Sequence, residues 1–196
     1  QHGCPDMVFQ AEDEPGVEQS EEYYRWAEAW KESACRMATA MSTAAASQLG
    51  HLHDVQIVHI GGITPELIAE ARRAGNEVWA YHFSLAGSTP LANRYNTGLY
   101  TWGLGLTGNY AWIYYRGGAD DYVLLTSTDI LPKPSYEGVR EGIDDYRYLR
   151  LLEKCVAADE SKPAAKEARR WLDSIRKGTD WEFYHEGREW GDRSYF

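Results

Sequence analysis

At 196 residues and 43% hydrophobic side chains the chain is large enough for one domain with one core, which excludes a disordered polypeptide. Thirty acidic against twenty basic side chains give a net charge of −10, which repels nucleic acid and anionic membrane but leaves neutral substrates indifferent. Cys4, Cys35 and Cys155 lack the close spacing of a metal knuckle or disulfide framework and read as ordinary thiols, and no apolar run approaches the roughly 20 residues of a membrane span.

The first predicted element is a short apolar strand over residues 7–11, followed at once by Glu12-Asp13-Glu14-Pro15-Gly16. Loops after parallel strands form the active face of an α/β barrel, so paired carboxylates there suit a site. The same residues also suit a turn, or a helix start that favours negative charge. From about residue 21 to 46, Tyr23, Trp26, Trp30, Ala34, Met37 and Met41 recur at three- and four-residue steps and predict one long helix with a buried face. His51 and His53 fall on one side of an extended segment, but no third ligand is spaced nearby, and no metal is expected.

Residues 55–60 read as a second strand. Thr64-Pro65 and Gly75 then bracket a crossover helix with Leu67, Ile68 and Ala71 inward. A third strand covers residues 78–83. Thr89-Pro90 opens a helical stretch whose stripe is Leu91, Tyr95, Leu99, Trp102 and Leu106, ended by Gly108-Asn109. Residues 110–115 and 122–126 are the fourth and fifth strands. Pro132, Pro134 and Ser135 introduce a helix burying Val139, Ile143, Tyr146, Leu149 and Leu152, and residues 163–177 form a last helix with Ala168, Trp171, Leu172 and Ile175 inward. Residues 178–196 form an aromatic and charged tail, either docked or disordered.

Short apolar strands alternating with helices predict an α/β fold on a parallel sheet with right-handed crossovers, either doubly wound or part of a (β/α)8 barrel, in one domain. No Gly-rich phosphate loop follows a strand; Gly103, Gly105 and Gly108 lie inside or at the end of a helix, and a nucleotide cofactor is not expected. Eight Trp and fourteen Tyr against four Phe suit both sugar stacking and packing under loops.

Four segments carry a resemblance. The Asp13-Glu14-Pro15 strand end, the Glu77-Val78-Trp79-Ala80-Tyr81 and Tyr110-Ala111-Trp112-Ile113-Tyr114-Tyr115 strands, and the helix signature Arg140-Glu141-Gly142-Ile143-Asp144-Asp145-Tyr146-Arg147-Tyr148-Leu149 resemble the C-terminal half of the catalytic barrel of glycoside hydrolase family 123 and its uncharacterised relatives, over residues 7 to 155. The resemblance implies a partial (β/α)8 TIM-type barrel over residues 1–177, strands four to eight with their helices, followed by the tail 178–196. A missing N-terminal barrel half or a second copy would complete it, and the isolated 196 residues are expected to show little or no activity.

The resemblance also implies hydrolysis of terminal β-N-acetylgalactosaminides by a substrate-assisted, retaining route without a cofactor. Asp13 would orient the 2-acetamido group and Glu14 would be the general acid/base. The partner is then a carbohydrate, not nucleic acid or membrane, and a full-length bacterial protein of this kind would work outside the cell or in the periplasm. Like charges this close are expected to raise one of the two pKa values. Tyr81 and His82 at the end of the third predicted strand, and Trp112 and Tyr114 on one face of the fourth, are expected to line a sugar-binding floor or to pack as core aromatics. Arg140 and the Asp144-Asp145 pair are expected to make structural ion pairs. A non-catalytic carbohydrate-binding or structural barrel fragment, and a retaining glycosidase with a separate carboxylate nucleophile, fit the same residues.

Overall fold

The structure is a computed structural model and describes residues 8–10, 13–15, 20–32, 36–82, 89–111, 114–118 and 121–179. Five parallel strands, β1 (Val8–Gln10), β2 (Arg36–Met41), β3 (Val55–His59), β4 (Glu77–His82) and β5 (Gly108–Ala111), lie in sequence order in one sheet, the arrangement of a half-barrel of the (β/α)8 type. The chain divides into two compact units, Gln1–Tyr81 and His82–Phe196.

In the first unit, helices α1 (Ser20–Lys31), α2 (Thr43–Leu49) and α3 (Pro65–Ala74) alternate with the strands. The register Phe9↔Met37, Thr39↔Gln56 and Gln56↔Val78 places these side chains on one face of the sheet. Helix α1 covers that face: the Tyr23 hydroxyl donates to Thr39 Oγ1 at 3.3 Å, and Trp30 stacks on Phe9 with ring centroids 6.4 Å apart. The buried His53 ring joins the same layer, its Nε2 2.5 Å from the Tyr23 hydroxyl and its Nδ1 3.1 Å from the Leu49 carbonyl oxygen. His51 is exposed and lies beside the Tyr24 ring. Among the described residues no three His, Cys, Asp or Glu side chains group as metal ligands.

Helix α3 follows its sequence signals closely. The Thr64 hydroxyl accepts from Leu67 N at 3.2 Å, Pro65 occupies the first turn, and Gly75 ends the helix at φ 81°, a left-handed conformation in which glycine has no Cβ to clash. Leu67, Ile68 and Ala71 are buried as expected.

The single helix expected over residues 21–46 is instead α1, the six-residue strand β2 and α2. Met37 and Met41 recur at a helical interval, but both sit on the α1 side of a strand in which Met37 to Met41 are all buried. Trp26 is 58% exposed, and Tyr23 and Ala27 form the buried seam of α1.

In the second unit, α4 (Pro90–Tyr95), a π-helical segment (Asn96–Tyr100) and the turn α5 (Thr101–Gly103) run on as one helical stretch. Of the expected stripe, Trp102 and Leu106 are buried and Leu99 packs against the core, whereas Leu91 is 54% exposed; Ala92, Asn93, Asn96, Thr97 and Gly98 are buried in addition. They pack on α6 (Pro134–Ala158), which presents Ser135, Gly138 and Gly142. A Cβ on Gly142 would lie 2.6 Å from the Arg94 carbonyl oxygen, and one on Gly138 would overlap the Pro90 carbonyl oxygen, so the two backbones touch directly. Arg94 locks the contact through a bidentate pair to Asp145, at 2.6 and 3.0 Å, and a bond to Glu141 at 2.9 Å. Arg140 pairs with Glu137 and Asp144 along its own helix, the structural role expected of it.

Helix α7 (Pro163–Gly178) closes a cluster of Trp102, Leu149, Val156 and Leu172, with Ala168 and Ile175 packed against it. Trp171, expected inward, is exposed. The predicted fifth strand also differs. Residues Val123–Leu125 (β6) pair antiparallel with Ile130–Pro132 (β7) in a separate hairpin, turned by the bond from Thr126 N to the Asp129 carbonyl oxygen. The parallel sheet still has five strands because β2 supplies the one not foreseen. No helix of the described residues is long and apolar enough to cross a membrane. Cys155 is an exposed free thiol, while Cys4, Cys35 and the aromatics of residues 181–196 lie outside the described residues.

Candidate functional site

Parallel pairing from β1 to β4 brings the C-terminal ends of these strands to one edge of the sheet. In α/β barrels this is the edge that carries chemistry. The face of the sheet turned away from α1 carries Gln10, Ala38, Ala40, Val55, Ile57, His59, Trp79 and Tyr81, and its centre is sealed by Ala38, Ala40, Val55 and Ile57, all 0–4% exposed. Polar side chains are displaced to its two ends. At the N-terminal end Arg36 pairs with Glu77 at 2.5 Å, and Trp79 Nε1 donates to the same carboxylate at 3.2 Å. At the C-terminal end stand His59 and Tyr81, neighbours in register whose rings meet edge-on with centroids 6.2 Å apart.

Asp13 and Glu14 lie just beyond the end of β1, on the same edge. Strand alternation no longer governs them, because β1 has ended at Gln10 and both residues sit in a bend. The Gln10 side-chain amide donates to Asp13 Oδ1 at 2.9 Å and fixes that carboxylate. Glu14 holds φ at 48°, the only non-glycine residue with positive φ among those described, and its N–H donates to the Ala40 carbonyl oxygen of β2 at 3.0 Å. A side-chain-bearing residue in the left-handed region costs of order 1 kcal/mol, and such strain collects where a side chain must be aimed. Pro15 is buried behind the bend, while the two carboxylates are exposed.

His59, at the end of β3, lies within electrostatic reach of Glu14. Its Nδ1 accepts from Gly61 N at 3.3 Å, which fixes the ring against the turn that follows β3. Burial pushes the imidazole below its ordinary pKa of 6.5, and the nearby Glu14 carboxylate works in the opposite direction. The arrangement is therefore two carboxylates, an imidazole that is neutral at pH 7, and a tyrosine ring on one strand edge. It offers proton donors and acceptors around an aromatic wall.

Of the residues expected to form the site, Asp13, Glu14 and Tyr81 belong to this edge. His82 is the last residue of β4, and only its backbone is described. Trp112 and Glu12 lie outside the described residues. Tyr114 lies in a bend of the second unit, edge-on to Tyr136 with centroids 5.5 Å apart. Sequence reasoning passed over His59 in favour of His51 and His53. The available signal was its position: a titratable residue closing the apolar run of residues 55–60, before Gly61-Gly62. No protein-family model matches the chain, and no curated protein matches it.

Proposed function

We propose that this chain is part of a glycoside hydrolase-like barrel that cleaves terminal β-N-acetylgalactosaminides by a substrate-assisted, retaining route without a cofactor. The observation that carries the reading is the acid pair beyond β1, with the Glu14 backbone held left-handed by the strand beside it. In this reading the acetamido oxygen of the sugar attacks the anomeric carbon and forms an oxazolinium ring as the glycosidic C–O bond breaks. Glu14 gives its proton to the leaving oxygen, then takes one from the water that reopens the ring. Asp13, oriented by Gln10, accepts the amide N–H and stabilises the positive charge that develops there. Tyr81 offers its ring to an apolar sugar face, and neutral His59 places a hydrogen-bonding group beside Glu14 without neutralising it.

The exposure of both carboxylates supports a second reading, in which the pair binds sugar hydroxyls and nothing turns over. Hydrolysis of an aryl N-acetylgalactosaminide and binding of N-acetylgalactosamine, measured side by side in a protein that supplies the other half of the barrel, separate the two. For the hydrolase, Glu14→Gln and Asp13→Asn each lower kcat/KM by about 10²–10⁴-fold, and the galactoside lacking the acetamido group is not cleaved. Binding that is lost in Asp13→Asn, without turnover by the parent protein, establishes the second reading. Turnover indifferent to both substitutions, or neither turnover nor binding, removes the acid pair from consideration.

A further inference from the structure

We propose that the second unit holds a binding pocket for a small, neutral, aromatic-ring compound, in a cavity of about 300 Å3 between β5 and α6. This inference does not rest on the hydrolase reading; of the residues expected at the sugar site, only Tyr114 is among the described walls of this cavity.

The cavity follows from how α6 packs. Because Gly138 and Gly142 take the backbone contact with α4, the apolar stripe of Val139, Ile143 and Tyr146, one residue further round the helix, lines the cavity. Neither Val139 nor Tyr146 is fully buried, and Ile143 is 39% exposed, which makes it the rim. Tyr114, Tyr122 and Tyr136 complete the walls. Tyr136 lies edge-on to the other two, with centroids 5.5 and 6.3 Å away and interplanar angles of 80° and 64°. Perpendicular rings present a face and an edge to the same space, the arrangement an aromatic guest extends by edge-to-face contact.

The wall chemistry selects the guest. None of the described lining residues carries a formal charge, so a charged ligand would lose its hydration without a charged partner among them. Most of the polar tips are occupied: the Tyr122 hydroxyl donates to Asn93 Oδ1 at 3.0 Å, the Tyr146 hydroxyl to the Leu106 carbonyl oxygen at 3.2 Å, and Asn109 Nδ2 to Thr101 Oγ1 at 3.3 Å. Tyr114 and Tyr136 keep hydroxyls with no hydrogen bond to any described residue. A ring with one or two polar edge groups matches that supply. A monosaccharide would bury several hydroxyls that these walls leave unsatisfied. An apolar cavity of about 150 Å3 accommodates benzene, so this one has room for a fused bicycle.

The probe is indole, titrated into the 196-residue chain and followed by ligand-observed and protein NMR. Saturable binding is expected with a dissociation constant of about 10⁻⁴–10⁻³ M, the range for nine well-buried ligand atoms. Ile143→Trp, which fills the cavity from its rim, weakens binding at least tenfold in a protein whose circular dichroism is unchanged. Tyr136→Phe weakens indole several-fold and leaves toluene, which has no polar edge, unaffected. The proposal is overturned by absence of saturation at several millimolar indole, by affinities that neither variant alters, or by N-acetylgalactosamine binding more tightly than indole. Self-association that closes the cavity and that indole cannot compete against also overturns it, since a second copy would then be the occupant.

Discussion

The two units bury their cores in different ways, and the difference decides which side chains remain for chemistry. In the first, a parallel sheet covered by helices commits both faces of β2 and β3 to packing, so on the face turned away from α1 polar groups stand at the strand ends: Arg36 with Glu77 at one, and Asp13, Glu14, His59 and Tyr81 at the other. In the second, α4 and α6 meet through glycine backbone, which takes up the contact without using the apolar side chains of α6. Val139, Ile143 and Tyr146 are left to line a cavity. Sheet packing thus moves polar side chains to an edge, whereas close helix packing leaves an apolar opening beside α6.

The comparison breaks most readily at the helix contact. Gly142→Val places a branched side chain against the Arg94 carbonyl oxygen and is expected to cost about 2–3 kcal/mol in urea unfolding, while Ile143→Ala, one position on, costs under about 1 kcal/mol. Equal costs would mean that the helices separate without consequence. In the first unit the matching buried element is polar. Tyr23→Phe withdraws the hydroxyl bonded to His53 and Thr39 and is expected to lower stability by about 1–2 kcal/mol.

Acidity and alkalinity should act on different units. The folded pKa of His59 lies below its unfolded value of 6.5, so near that pH the unfolded chain binds the extra proton and stability falls as pH drops. Being half-buried, the ring contributes less than the limiting ~1.4 kcal/mol per pH unit, and His59→Gln should flatten that acid limb. The Tyr122 phenol is pushed up by burial, so its contribution is complete below its unfolded pKa of 10.0 and is lost as pH rises beyond it; Tyr122→Phe should blunt that alkaline limb. The smallest effect is expected at the acid pair itself. Glu14→Gly removes left-handed strain but loosens the unfolded chain, and the two nearly cancel, leaving stability within about 0.5 kcal/mol by thermal unfolding. A loss above about 1 kcal/mol would identify the Glu14 carboxylate as a structural cap instead.

Where local chemistry determines an element, the sequence reading and the structure coincide: Thr64, Pro65 and Gly75 bound α3, and residues 163–177 define α7 to within one residue. Strand β2 was hidden because Ala and Met carry no strand signature, and burial on both faces removes the alternation that would reveal one. The contact between α4 and α6, where Leu91 and Ile143 were expected inward, was missed for a related reason. Hydrophobic periodicity assumes that side chains make the contact, and Gly138 and Gly142 contribute none. At the candidate site the acid pair was readable from strand end and loop, but the conformation of Glu14 was not, since glutamate is no left-handed signal.

The π segment at Asn96–Tyr100 has a consequence for how this stretch tolerates change in length. A π turn takes in one residue more than α-helical winding would, so every residue beyond it is advanced by about 100° around the axis. Trp102 thereby enters the cluster of Leu149, Val156 and Leu172, and Arg176 settles over its indole, 4.5 Å from the ring centroid. Excising any one residue here would rewind the turn and carry the indole to the wrong side, even if every remaining amino acid were kept. The number of residues between Pro90 and Trp102 acts as a gear setting, and the α6–α7 core meshes at only one tooth.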